Sequence, residues 1–328
     1  MYSNIDRKDD SIMSSSLCKL LGIQYPIFMG GMTLVTGSEL VAAVSEAGGL
    51  GIFATGDKAQ KGGIERVRDE IRRIKVMTNK PFGVNIAMTS PIAQDIVDIV
   101  CEEKVALVTT GAGSPAPFIE QLKAAGVKVA PVVPSCEVAL KMEAAGADLV
   151  IAEGMESGGF IGKITTLVLV PQVTAAVKIP VVAAGGFADG RGLAAALALG
   201  ACGIQMGTRF MVSKECRLPD VYKQAIIAQR SQDATVEGSI VPKAVPHRSM
   251  KTLAAEEIVA YELTPGATIE GFRELFDAGR VEVTGNLDRA VLGMGQVAGL
   301  IHEELTVAEI IQHIMQECET TLKGLATA

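Results

Sequence analysis

Aromatic residues, imidazoles and basic surface are all scarce in this chain of 328 residues, which has no Trp, 4 Tyr, 9 Phe and 3 His. Few rings are available for nucleobases to stack on. The formal net charge of −7 leaves no basic stripe for phosphates, so we expect no nucleic-acid partner. No cluster of His, Asp or Glu has metal-ligand spacing and no Gly-x-Ser-x-Gly elbow occurs, so neither a metal site nor serine acyl transfer is predicted.

The 6 Cys are scattered without CxxC spacing, which excludes a disulfide framework and an iron–sulfur site and is typical of a reducing cytosol. Residues 1–16 are polar and contain no apolar segment, so we predict a disordered tail there and no signal peptide. The longest apolar stretch, residues 193–206, is too short for a membrane span and is interrupted by glycines. These features predict a cytoplasmic protein with no membrane partner.

Apolar residues (48%) and glycines (35) are abundant. Short apolar runs alternate with helical stretches such as 63–77 and 91–103, whose apolar residues recur every three or four positions. The runs are at 25–28, 50–54, 82–86, 107–110, 127–133, 149–152, 181–184 and 203–206. This alternation predicts an α/β fold with a parallel sheet covered on both faces, and eight repeats favour a (β/α)8 TIM barrel over residues 17–215.

The alternation stops after Arg209. Residues 216–292 contain Pro242, Pro246 and Pro265 and show few strand signals, so we predict an inserted, mainly helical cap near the barrel mouth. Residues 293–328 are predicted to return to the barrel and to end in a helix over 306–322.

Two glycine-rich segments, 183–187 and 205–209, follow the seventh and eighth apolar runs. In a (β/α)8 barrel the loops at these positions commonly bind a phosphate group. Glycine lets the backbone approach an anion closely, so that N–H groups of the turn can donate to it. Gly30, Gly31 and Met32 follow the first run, where we favour a ligand contact over a simple tight turn.

Two polar side chains interrupt otherwise apolar runs. Asn85 must be hydrogen-bonded, either by neighbouring groups or by the polar edge of a heterocycle. Glu153 either accepts hydrogen bonds from sugar or ribityl hydroxyls or caps the following helix. A phosphate site, few acid–base groups and no metal set indicate that a bound cofactor carries the chemistry, and FMN fits these groups.

Only three histidines are available for acid–base chemistry. His302 and His313 fall in the C-terminal helical segment and are predicted to lie on the surface. His247 lies in the cap beside Arg248, and we favour a solvated loop position over one facing the site.

Motifs spread over nearly the whole chain carry a family resemblance. They are at residues 25–27, 30–32, 47–51, 80–85, 109–113, 131–135, 152–156, 183–186, 188–190, 206–210 and 295–300. With these motifs the chain resembles the FMN-dependent enoyl-acyl-carrier-protein reductases (type II), within the nitronate monooxygenase (2-nitropropane dioxygenase) superfamily. The resemblance implies an FMN-binding barrel that takes hydride from NADH or NADPH and reduces trans-2-enoyl thioesters of acyl-carrier protein or CoA, as in fatty-acid biosynthesis, and it is compatible with a homodimer.

The resemblance also implies which residues surround the cofactor. They are Gly31, Met32, Asn85, Glu153, Gly158, Gly185, Gly186, Gln205, Met206, Gly207 and Thr208. No catalytic residue is assigned, because Phe160 occupies the slot in which the family carries its catalytic histidine.

A phenyl ring cannot transfer a proton, and the loss of a positioned acid typically lowers a rate by ~10²–10⁴-fold. His247 or Lys163 could substitute for it. Two alternatives to enoyl reduction therefore stay open: a nitronate monooxygenase that uses O₂, and a flavin-binding protein with weak or no catalysis.

Overall fold

Eight parallel strands form a closed barrel in the computed structural model, which describes residues 15–56, 63–280 and 286–327. The barrel strands are β1 (Ile27–Met29), β2 (Leu50–Ala54), β3 (Phe82–Ala87), β4 (Leu107–Gly111), β5 (Lys128–Val133), β6 (Val150–Glu153), β8 (Val181–Ala184) and β9 (Gly203–Met206). The ring closes where β1 pairs with β9, at Phe28 opposite Gln205. The predicted (β/α)8 barrel is therefore confirmed.

Most of the helices pack around the barrel, and the others close its amino-terminal end or belong to the segment after it. They are α1 (Ser16–Leu21), α2 (Ser38–Glu46), α3 (Gly63–Met77), α4 (Ala93–Glu102), α5 (Ile119–Ala124), α6 (Cys136–Ala144), α7 (Thr166–Ala176), α8 (Gly190–Ala198), α9 (Thr208–Met211), α10 (Asp220–Ala228), α11 (Leu253–Glu262), α12 (Ile269–Arg280) and α13 (Val307–Thr327). The terminal helix predicted over 306–322 corresponds to α13. In these parts of the chain, no helix is long and apolar enough to cross a membrane.

The strands are apolar throughout because both of their faces are buried. Phe28, Ile52 and Leu107 point into the barrel and form one core cluster. Val84 and Val108 point outward and join the larger cluster between sheet and helices. Successive side chains of a strand point to opposite faces, so a polar residue in register with the inward set must face the barrel interior.

The amino-terminal end of the barrel is closed by α1. Leu17 and Leu21 of this helix are buried in the same cluster as Phe28 and Leu50. Most of the predicted tail, residues 1–14, lies outside the described residues; Ser15 caps α1 through its side chain and Ser16 begins it.

The segment after the barrel contains three helices (α10, α11 and α12) and also two strands that the sequence did not indicate. β10 (Ala234–Glu237) and β11 (His247–Met250) pair with β7 (Gly159–Phe160), a short strand in the loop after β6. The resulting three-stranded antiparallel sheet joins the cap to the carboxyl end of the barrel.

Candidate functional site

The inner wall of the barrel at its carboxyl end carries polar side chains among small ones. The inward-facing residues nearest this end are Gly30, Ala54, Asn85, Thr109, Val132, Glu153, Ala184 and Gln205, as the strand register shows. Asn85, Thr109, Glu153 and Gln205 are the polar members, and the others are Gly, Ala or Val. This layer therefore presents two amides, a hydroxyl group and a carboxyl group among small side chains at the mouth.

Glycines beside the amides make room for their side chains. The Nδ2 amide of Asn85 donates to Thr109 Oγ1 at 3.0 Å, so Asn85 is satisfied by a neighbouring strand. A Cβ on Gly31 would lie 2.5 Å from Asn85 Cβ, and one on Gly30 would lie 3.2 Å from the Gln205 amide. These distances place Gly30 and Gly31, which were predicted to contact a ligand, directly beside Asn85 and Gln205.

Glu153 is the last residue of β6 and faces the barrel interior beside Ala184. Burial raises its pKa to about 7, an effect that the nearby Ser157 hydroxyl partly opposes. The alternative that Glu153 caps the next helix is wrong, because Glu156 does so: its carboxylate accepts from the N–H of Thr166 at 2.9 Å and from the Thr166 hydroxyl at 2.8 Å. The Glu153 carboxyl group therefore does not cap α7 and faces the inside of the barrel.

The ends of β8 and β9 form a pair of glycine turns. Gly185 and Gly186 both have positive φ, +90° and +82°, which glycine adopts without strain. A Cβ on Gly185 would lie 2.7 Å from the carbonyl oxygen of Gly154. Within the described chain, the backbone N–H groups of Gly186 and Gly207 donate to no protein acceptor. Such adjacent free donors are suited to an anion.

Other predicted site residues have structural contacts of their own. The Thr208 hydroxyl accepts from the N–H of Gly295 at 3.0 Å, and a Cβ on Gly158 would lie 2.6 Å from the carbonyl carbon of Met294. Both contacts join the barrel mouth to the segment that follows the cap and contains Met294 and Gly295. Met206 points outward into the core between sheet and helices, so only its backbone borders the mouth.

Met32 lies at the mouth itself. A Cβ on Gly207 would approach its Sδ to 3.3 Å, which places Met32 beside the turn after β9. The structure thus groups Gly30–Met32 with the turn of Gly207.

Phe160 lies on β7, beside the mouth, and is 49% exposed. Its ring packs edge-on against the imidazole of His247, with centroids 5.4 Å apart, and Phe276 of α12 packs on the same imidazole at 4.8 Å. The prediction of a solvated loop position for His247 is wrong: it begins strand β11 and is 6% exposed. His302 and His313 are exposed, as predicted.

His247 is held by a carboxylate that the sequence did not single out. Its Nδ1 lies 3.2 Å from Oε2 of Glu237, which is fully buried and also accepts a hydrogen bond from the Ser249 hydroxyl. Arg248, the next residue on β11, donates to the carbonyl of Met155 at 3.1 Å, and burial lowers its pKa. The sequence did not single out this group, because β10 and β11, whose pairing brings it together, were not predicted as strands.

Lys163, the other proposed substitute for the missing acid, is exposed in the loop between β7 and α7. In the described structure it makes no ion pair or side-chain hydrogen bond. The geometry therefore favours His247 over Lys163 as the acid–base group nearest Phe160.

Comparison with known proteins identifies relatives along the whole chain. The sequence profile of the nitronate monooxygenase family matches residues 14–98 and 92–317. The solved structure of FabK from Thermotoga maritima superposes with a TM-score of 0.90 at 46% identity and covers 95% of this chain and 98% of that one.

Two curated proteins add further similarity. A (3aS,4S,5R,7aS)-5-hydroxy-7a-methyl-1-oxo-octahydro-1H-indene-4-carboxyl-CoA dehydrogenase of Rhodococcus jostii is 42% identical over 74% of this chain and 67% of its own length. A nitronate monooxygenase of Pseudomonas aeruginosa is 32% identical over 93% of this chain and 99% of its own.

Proposed function

Because the chain belongs to the nitronate monooxygenase family, as its motifs predicted, we propose that it is an FMN-dependent oxidoreductase that uses NADH or NADPH to reduce an enoyl thioester. The observation that carries the proposal is the polar inner layer of Asn85, Glu153 and Gln205, beside the glycine turns of β8 and β9. The match to the nitronate monooxygenase family and the similarity to FabK and to a nitronate monooxygenase all support an oxidoreductase with this fold.

The residues at the mouth fit FMN. The amides of Asn85 and Gln205 can hydrogen-bond to the donor and acceptor edge of a flavin ring, and the small residues between them leave space for it. The N–H groups of Gly186 and Gly207 are available to the phosphate, and Glu153 can accept from ribityl hydroxyls. When bound, FMN carries hydride between the nicotinamide and the final acceptor.

Residues of the chain itself would shield the cofactor from water and contact the substrate. The apolar interior of the barrel, with Phe28, Ile52 and Leu107, would keep water from a flavin bound at the mouth, and the cap sheet, which includes Phe160, lies at the same end of the barrel. The phenyl ring of Phe160, 49% exposed, offers an apolar contact to an acyl chain. The resemblance to type II enoyl reductases and the 46% identity to FabK support a thioester of acyl-carrier protein or CoA as the substrate.

The cofactor assignment is tested by FMN titration of protein freed of any flavin, with binding followed by quenching of FMN fluorescence. We expect Gln205→Ala and Asn85→Ala each to raise Kd about tenfold, the effect of one lost hydrogen bond. Gln312→Ala, at an exposed glutamine of α13, is the matched control and should bind like the wild type. Absence of FMN binding by the wild type would refute the proposal.

The acceptor is tested by anaerobic reduction of the loaded protein with NADH or NADPH, followed by mixing with one acceptor at a time. Reoxidation by crotonyl-CoA or a longer enoyl-CoA is expected. Reoxidation by O₂ alone, with consumption of a nitronate, would replace the thioester proposal by nitronate oxidation. A flavin that neither nicotinamide reduces would indicate a binding protein without catalysis.

A second candidate is the reverse reaction, oxidation of a saturated acyl-CoA. It is favoured by the 42% identity to the Rhodococcus jostii protein described above, whose name is that of a dehydrogenase of a carboxyl-CoA thioester. Both directions exchange one hydride and one proton with adjacent carbons of a thioester. Bleaching of the oxidised flavin by a saturated acyl-CoA, without a nicotinamide, would select this direction.

A further inference from the structure

Three side chains form one row across the cap sheet. Glu237 of β10 lies opposite His247 of β11, and His247 lies opposite Phe160 of β7. Residues directly opposite each other in an antiparallel sheet share a face and have neighbouring Cβ atoms. His247 is therefore one strand away from the slot in which the family's histidine is expected.

The orientation of the His247 ring follows from its partner. Nδ1 faces Glu237, at 3.2 Å from Oε2. The two ring nitrogens are separated by one carbon and their N–H directions diverge, so Nε2 is not engaged by Glu237, and β7 with Phe160 is the strand on the other side of β11 from Glu237. A carboxylate on Nδ1 fixes the ring and favours a proton there, which is how acid–base histidines are commonly oriented.

Two aromatic rings pack against the imidazole. Phe160 and Phe276 both pack edge-to-face with it, at centroid distances of 5.4 and 4.8 Å. The Glu237 carboxylate is held in turn by the hydroxyl of Ser249. Packing of the cap alone would not need a buried carboxylate bound to one nitrogen of the imidazole, so this arrangement indicates a chemical role.

We propose that His247, positioned by Glu237, is the catalytic acid that exchanges a proton with the α-carbon of the thioester, in place of the histidine replaced by Phe160. This role rests on the proposed thioester reduction. Hydride delivered to the β-carbon breaks the C=C π bond and leaves an enolate.

The enolate electron pair then takes the Nε2 proton of imidazolium, forming the α C–H bond, and the imidazole regains a proton from solvent. The balance is NAD(P)H, one proton and an enoyl thioester giving NAD(P)⁺ and the saturated thioester. In the reverse direction, neutral His247 removes the α-proton.

The test separates the two half-reactions of the holoenzyme in His247→Gln, whose amide can still donate to Glu237. Flavin reduction by NAD(P)H should be unchanged, because it needs no proton at the α-carbon. Reoxidation by crotonyl-CoA should fall by ~10²–10⁴-fold. His302→Gln and His313→Gln, at the two exposed histidines, are the controls and should react like the wild type in both halves.

Glu237→Gln keeps the test decisive if His247→Gln folds poorly, and a double variant tests rescue of the lost acid. Glu237→Gln retains the imidazole but removes the charge that orients it, and should slow reoxidation alone. Adding Phe160→His to His247→Gln should recover part of the lost rate, because it returns an acid to the family position. Neither result is expected if His247 only packs the cap.

A readout independent of turnover is the ¹⁵N NMR spectrum of histidine-labelled protein, which contains 3 His. The His247 signal should move when butyryl-CoA binds, while those of His302 and His313 stay fixed. A wild-type reoxidation rate in His247→Gln, or a His247 signal that ignores bound butyryl-CoA, would overturn the role of His247 alone. Failure of every enoyl thioester to reoxidise the wild type would refute the proposed function and this role with it.

Discussion

The carboxyl group of Glu153 makes the stability of the flavin-free protein depend on pH. Burial raises its pKa from 4.5 to about 7, so between these values the folded protein holds a proton that the unfolded chain has lost. Stability from this group is therefore full below pH 4.5, falls as pH rises toward 7, and stays low above it. Ionised Glu153 destabilises the fold by about 3 kcal/mol, from about 1.4 kcal/mol for each unit of pKa.

Glu153→Gln removes this titration while preserving the size of the side chain. We expect its free energy of unfolding, from urea denaturation without FMN, to exceed that of the wild type by about 3 kcal/mol at about pH 8 and by less than about 1 kcal/mol at about pH 5. Glu270→Gln, at an exposed glutamate of α12, should match the wild type at both. A difference of equal size at the two pH values would refute the reasoning.

Two other substitutions test the contacts that join the barrel mouth to the returning chain. Thr208→Val removes the acceptor of the buried Gly295 N–H and should lower the free energy of unfolding by about 1–3 kcal/mol in urea, whereas Thr320→Val, at an exposed position, should change it little. Gly158→Ala places a Cβ 2.6 Å from the Met294 carbonyl carbon and should cost about 1–3 kcal/mol by overpacking; an unchanged thermal midpoint would contradict the close approach.

The barrel could be predicted from sequence because both faces of its strands are buried. Continuous apolar runs result, and each of the eight barrel strands overlaps one of them. The same argument located Asn85 and Glu153, since a polar residue stands out in an apolar run. The glycine turns after β8 and β9 were likewise visible from composition and spacing alone.

The cap sheet could not be predicted by these means. β7 has only two residues, and β11 reads His-Arg-Ser-Met, which shows neither an apolar run nor clear alternation. β7 exists as a strand because it pairs with β11, which lies far along the chain. The burial of His247 depends on that pairing and on Phe276 of α12, so the residue was expected in solvent.

Because α1 seals the opposite end of the barrel, every molecule that reaches the inner polar layer must enter and leave through the same opening. On the proposed function, a nicotinamide and an acyl thioester would both need this opening, so the oxidised nucleotide would have to leave before the acyl group binds. Steady-state rates should accordingly follow a ping-pong pattern, with parallel double-reciprocal lines, and each substrate should inhibit competitively when it occupies the enzyme form meant for the other.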